Sequence, residues 1–229
     1  EYLERLLIEN WIAKRLDNAH ILKAAVPTRK QSYLYLVTEY VEGQTLAQWM
    51  IDNPSPAIET VRAIVSQIGR GLQAFHRQEM VHQDLRPDNI MIDRAGTVVI
   101  IDFGATRVAG ISELAEPNER IFGTAQYTAP EYYLGFAGTP QADIFSLGVI
   151  TYQMLSGKLP YGNAVSGTRS RRSQARLRYR TVLAYDESIP AWIDYAISKA
   201  VQVEPHKRYE EVSEFVHELS KPAYAYRVL

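Results

Sequence analysis

The chain has 229 residues, 46% hydrophobic and 22% charged, with a net charge of −1 and no cysteine. That is enough apolar material for one large domain or two small ones. The charge balance gives no general affinity for nucleic acid or a membrane surface, the lack of cysteine excludes disulfides and thiolate metal sites, and no apolar run is long enough to span a bilayer.

Residues 2–16 read as a helix, with Leu3, Leu6, Leu7 and Trp11 recurring at threes and fours. The chain opens inside this amphipathic pattern, so the expectation is a piece of something longer. Glu9 lies mid-helix and on pattern alone is a solvated carboxylate. Residues 20–26 and 33–40 read as two strands joined by the polar turn at 28–31. Thr45 is an N-cap for a short helix through Met50, ended by Pro54 and Pro56. Residues 57–78 carry one apolar stripe of Val61, Ile64, Val65, Ile68, Leu72, Ala74 and Phe75, a long helix. Strands follow at about 90–93 and 98–102, with Ala95-Gly96 as the hairpin turn.

Residues 105–128 have little periodicity and read as a long, functional loop. Residues 140–156 are apolar on most sides, which suits the buried axis of a helical domain, stopped by Gly157. Asp143 near its start is therefore expected to accept backbone N–H bonds. The basic stretch 163–180, with Arg169, Arg171, Arg172, Arg176, Arg178 and Arg180, reads as a solvated face or as a surface for an acidic substrate or partner. Helices at about 190–201 and 209–219 close the domain.

The chemistry concentrates in residues 80–92, where an acid, a base, a proline and an amide lie between two apolar runs, followed by Asp102-Phe103-Gly104. Phosphoryl transfer to a hydroxyl needs divalent metal, positive side chains and a carboxylate that orients the hydroxyl. Asp84 can accept the hydroxyl proton, and Arg86 can reach the transferred phosphate as a permanent cation. Asn89 and Asp102 offer hard oxygen ligands that suit magnesium.

His82-x-Asp84-Leu85-x-Pro87-x-Asn89, Asp102-Phe103-Gly104, Ala129-Pro130-Glu131 and Asp143-x-Phe145-Ser146-x-Gly148 follow one another in the order and spacing of a known signature. The chain resembles the eukaryotic-type (Hanks-type) serine/threonine protein kinase domain over essentially its whole length. The wording of residues 38–46 and 82–87 is similar to bacterial proteins that join a PP2C-type phosphatase to such a kinase.

The resemblance implies an α+β, protein-kinase-like fold. Residues 1–38 would form a partial β N-lobe, 39–44 the hinge, and 45–229 a mainly helical C-lobe with its activation segment at 102–131. It implies ATP and Mg2+ as cofactors, a protein substrate with a Ser/Thr acceptor, a PP2C-type domain as a fused or separate partner, and the cytoplasm as location. Asp84 then looks like the catalytic base, Asn89 and Asp102 like the metal ligands, and Thr124 like the threonine that bonds the base. His82 and Phe103 would stack in an internal spine anchored by Asp143. Thr38 falls at the gatekeeper position, Glu39 and Val41 on the hinge beside adenine, and Met91 beneath the base. Thr45 falls on the cofactor side, Glu9 where the regulatory helix carries its glutamate, and Glu131 with Arg208 at a structural ion pair.

Three departures stand out. No Gly-rich loop and no Val-Ala-x-Lys strand occur in these residues, which is expected to leave nucleotide affinity and activity low and reads as truncation. Gln83 replaces the arginine that normally receives an activation-loop phosphate, so ordering of 105–128 is expected to need no phosphorylation. Arg86 stands where lysine is usual. The competing readings are a pseudokinase-like docking module and a small-molecule phosphotransferase. The metal ligands and base speak against the first, and the segment between Gly104 and Ala129 against the second.

Overall fold

The computed structural model describes residues 2–25, 33, 35–109 and 125–221, with the side chains of residues 2–5 left aside. Helix α1 (Tyr2–Arg15) leads into an extended segment that crosses the sheet edge, where His20 and Leu22 bracket Ile100 with backbone bonds of 2.9 Å each. The α1 period was readable, but its buried face was not. Ile12, Ala13 and Leu16 enter the core, while Leu7 and Trp11 are 49% and 36% exposed.

The two strands expected at 20–26 and 33–40 are reduced among the described residues to two isolated bridges, Ile21 to Ile100 in parallel and Ala24 to Thr38 antiparallel, the latter flanked by Ala25 N–H to Val37 and Glu39 N–H to Lys23. The turn expected at 28–31 lies outside the described residues. Alternation of apolar residues signals strand-like backbone, but a ladder also needs partners in register along its length.

The regular sheet lies lower. Strands β1 (Gly43–Thr45), β3 (Ile90–Asp93) and β4 (Val98–Ile100) form an antiparallel sheet in the order β1-β3-β4. The β3–β4 turn closes on Asp93, whose side chain accepts from Ala95 N and Thr97 N, with Gly96 at φ 83°. A second pair, β2 (Met80–Val81) with β5 (Arg107–Val108), brackets the candidate site. Thr45 caps α2 (Leu46–Asp52), its hydroxyl accepting from Gln48 N at 3.2 Å.

Two helices carry most of the core. In α3 (Ile58–Arg77) the stripe from Val61 to Phe75 is buried as its spacing requires, with Ala74 half-buried at its edge. Helix α4 (Pro140–Ser156) is buried on nearly every side, starts with Pro140 in its first turn, and ends at Gly157 with φ 65°. Its hydroxyls are satisfied internally, Ser146 by Ala142 and Tyr127 oxygens and Thr151 by Leu147. Helix α5 (Arg171–Gln174) is short, and α6 (Ala191–Ala200) and α7 (Val212–Ser220) pack on α3 and α4. Gly148 permits that approach, since a Cβ there would lie 2.8 Å from Val201 Cγ1 and 2.9 Å from Ala200 Cβ. Among the described residues no helix is long and apolar enough to cross a membrane.

Candidate active site

The loop between β2 and β3 is shaped by an acid 60 residues away in sequence. Asp143 at the start of α4 is buried, and its carboxylate accepts from His82 N at 2.9 Å and Gln83 N at 3.0 Å. His76 Nε2 lies 2.9 Å from the same carboxylate. The expectation that Asp143 serves backbone donors therefore holds. The tether fixes an unusual backbone: Gln83 has φ 68°, a left-handed conformation that non-glycine residues adopt at a cost. The strain is sustained because both amides would otherwise be left without an acceptor.

Just beyond, a turn over Pro87–Asn89 folds the chain back toward Asp84. The Asn89 amide donates to the Asp84 carbonyl at 3.0 Å and to its Oδ2 at 3.1 Å. Since its Nδ2 is directed at Asp84, its Oδ1 is the atom left for a cation. Asp102 is brought alongside by the ladder: Ile90 pairs with Ile100, and Ile101 N donates to Asn89 O at 3.0 Å. Asp102 is exposed, and its Oδ1 accepts from Gly104 N at 3.0 Å. Two hard oxygen donors, one on an exposed carboxylate, match the sparse protein ligation that magnesium takes when phosphates and waters complete its shell. Among the described residues no cluster of three or more His, Asp or Glu side chains would hold a metal unaided.

Arg86 does not point into open space. Its guanidinium pairs with Asp88, Nε at 3.0 Å and Nη2 at 2.7 Å. Glu9 comes near Asp102 from α1: a Cβ on Gly104 would lie 3.4 Å from Asp102 Oδ1 and 4.0 Å from Glu9 Oε2. Partial burial, and then the Asp102 charge, raise the Glu9 pKa above the ordinary value.

The remaining positions on the sequence list divide. Thr38 and Glu39 sit at the bridge to residues 23 and 24, Val41 is half-buried, and Met91 pairs with Thr45 and Val99 inside the sheet. Thr124 lies outside the described residues. Glu131 and Arg208 form the expected buried pair at 2.7 Å. Phe75 of α3 packs against both spine residues, 5.4 Å from the His82 ring edge-on and 5.9 Å from the Phe103 ring at a tilt. Burial lowers the His82 pKa against the pull of Asp143, Asp84 and Asp102.

Where the resemblance leads one to expect an arginine, Gln83 puts a neutral amide near Gly138 and the Tyr132 hydroxyl. Burial and then the charges of Asp143 and Glu131 hold the Tyr132 phenol well above its usual pKa, so the contact stays neutral on both sides. Phe75 and His76 were missed as site residues because they continue an amphipathic stripe. Their signal was a ring and an imidazole in the last turn of a helix, just before the acid-bearing loop.

The sequence profile of the protein kinase domain family matches residues 1–224. Among curated relatives, the serine/threonine-protein kinase PrkC of Bacillus subtilis is 29% identical over 92% of this chain and 32% of its own length. PknA of Corynebacterium glutamicum is 30% identical over 93% of this chain and 46% of its length. PknL of Mycobacterium tuberculosis is 28% identical over 92% and 52%. The chain thus spans between about a third and a half of the curated relatives it matches. Four motifs in order, and a profile that runs nearly from end to end, make this chain a member of the protein kinase domain family, of the kind carried by bacterial serine/threonine kinases.

Proposed function

We propose that the chain is the catalytic domain of an ATP-dependent serine/threonine protein kinase. The observation that carries the reading is the Asn89 amide clasping Asp84 while the ladder sets Asp102 beside Asn89. Asp84 orients the acceptor hydroxyl and takes its proton as the oxygen bonds to the γ-phosphorus and the bond to the β-phosphate oxygen breaks, releasing ADP. Asn89 Oδ1 and Asp102 are the residues to hold Mg2+, which when bound neutralises charge on the phosphate oxygens. Arg86 contacts the transferred phosphoryl group after exchanging its Asp88 partner for it. Residues 39–44 form the adenine-side hinge beneath Thr38, with Met91 under the base, and Thr124 assists Asp84. A kinase works where ATP is, so the cytoplasm is its proposed location. A PP2C-type phosphatase is its proposed partner on the wording of residues 38–46 and 82–87.

The test is phosphotransfer from labelled Mg-ATP to a serine- and threonine-containing acceptor protein by wild type, Asp84→Asn and Asp102→Asn. A loss of about 100-fold or more in both variants is expected. Equal turnover by wild type and Asp84→Asn would remove Asp84 as the base.

One observation favours a second reading, a docking module without turnover: the charged neighbour of Glu9 among the described residues is an acid, not a lysine. A domain that docks only would show no rise in melting temperature with Mg-ATP, while a nucleotide-binding kinase gains stability by mass action.

A further inference from the structure

Below the candidate site, at the C-terminal end of α4, lies a cavity of about 480 Å3. Lys158, Arg178 and Arg180 line it with Gln126, Gln153 and Tyr185, and no carboxylate is among its lining residues. Three cationic residues along one concavity raise its positive potential and favour an anion there. Two are held in place. Arg180 N donates to Pro160 O at 3.0 Å, its carbonyl accepts from Tyr152 OH at 2.8 Å, and its guanidinium lies 4.8 Å over the Tyr185 ring. Arg178 Nη1 donates to Ala175 and Leu177 carbonyls at 3.0 and 3.3 Å, which anchors one end of its guanidinium fork.

The cavity is joined to the catalytic loop. Gln153 accepts from Tyr127 OH at 2.7 Å, and the Tyr127 carbonyl is held by Ser146 at 2.8 Å. The Tyr127 phenol is near enough to Asp88 and Arg86 to feel both charges. Gln126, the residue before it, forms the cavity wall on that side. Tyr127 thus stands between the loop that carries Asp84 and the wall of this concavity.

We propose that the cavity binds an acidic side chain of the polypeptide substrate, so that this domain selects serine or threonine acceptors with aspartate or glutamate close by in the sequence. The inference rests on the kinase reading and names its substrate class. Arginine forks take carboxylates in paired hydrogen bonds, which gives the selection geometry as well as charge.

The test uses the whole 229-residue chain without nucleotide and two labelled peptides of equal length, each with one threonine, flanked by glutamates in one and lysines in the other. Fluorescence anisotropy is expected to show the glutamate peptide binding about tenfold tighter. Arg178→Glu with Arg180→Glu is expected to abolish that preference. The charge-matched pair Arg172→Glu with Arg176→Glu, outside the cavity lining, is expected to keep it. Equal affinity for the two peptides, or an equal loss in both double variants, would overturn the proposal. Because binding is read without phosphotransfer, a chain that binds the glutamate peptide as described but never phosphorylates it counts against the catalytic reading alone. Phosphorylation of both peptides at the same rate counts against the cavity alone.

Discussion

Arg208 and Glu131 meet through two parallel hydrogen bonds of 2.7 Å, with both side chains shut off from water. The other guanidinium N–H groups are used as well, Nε on Gln202 O at 2.7 Å, Nη1 on Gln141 O at 2.9 Å and Nη2 on Val203 O at 3.1 Å. The plane of the group also lies 4.9 Å from the Phe145 ring. One side chain thus ties the segment after Tyr127 to α4 and to the turn before α7.

Removing either partner leaves a buried charge. Arg208→Ala and Glu131→Ala are each expected to destabilise the domain by about 3–5 kcal/mol, measured by urea unfolding. Arg208→Lys keeps the charge but not the planar fork, and is expected to recover less than half of that loss. A loss below 1 kcal/mol in both alanine variants, roughly the worth of an exposed pair, would show that the pair is not structurally important.

Asp143→Ala tests the tether beneath the loop that carries Asp84. Two amides lose their acceptor, with an expected cost of about 2–4 kcal/mol. Because Gln83 is held at φ 68° by that bond, the loop is also expected to relax and phosphotransfer to fall further than the stability loss explains. Unchanged turnover in a variant shown to be folded would refute the positioning role of Asp143.

Asn89→Ala removes the clasp on Asp84 and one proposed metal ligand, but Asn89 is only half-buried. The fold should survive with a change within about 1 kcal/mol, while phosphotransfer drops by about 100-fold. Raising Mg2+ is expected to restore part of the rate. A variant as active as wild type at limiting Mg2+ would exclude Asn89 as a ligand.

Glu9 gives a pH signature. Its pKa is raised in the folded chain from 4.5, so its folded state favours the proton. The stability linked to Glu9 is therefore complete below 4.5 and is lost as pH rises through the elevated folded value. Glu9→Gln is expected to melt at a higher temperature than wild type at neutral pH, with the two curves converging below 4.5. A gap that persists into acid would mean that burial and Asp102 do not act on Glu9 as described.

Gly148→Ala is a packing prediction. The added methyl would lie within 3 Å of Val201 and Ala200 at the α4–α6 contact, so a loss of about 1–3 kcal/mol is expected in thermal unfolding.

The long helices were legible because a stripe such as Val61 to Phe75, or an apolar run stopped by Gly157, carries its period over many residues. The service of Asp143 to backbone donors was legible from chemistry, since a charge on a buried helix must be satisfied. Three of the short strands were not. Gly43–Thr45, Met80–Val81 and Arg107–Val108 are too short to show a period and exist only through their partners. The site residues were named from motif spacing, but spacing could not show that Arg86 pairs with Asp88 or that Phe75 packs against both His82 and Phe103. Those are facts about which side chains share a volume, and one-dimensional patterns do not hold them.

The two bonds from His82 and Gln83 to Asp143 close loops of 61 and 60 residues. Chain closure over that length comes only after α4 has docked. A growing polypeptide that has not yet released residue 143 from the ribosome has no acceptor for those amides. The loop bearing Asp84 therefore sets late in synthesis, and a chain halted before α4 would carry all of residues 80–92 with no active conformation to put them in.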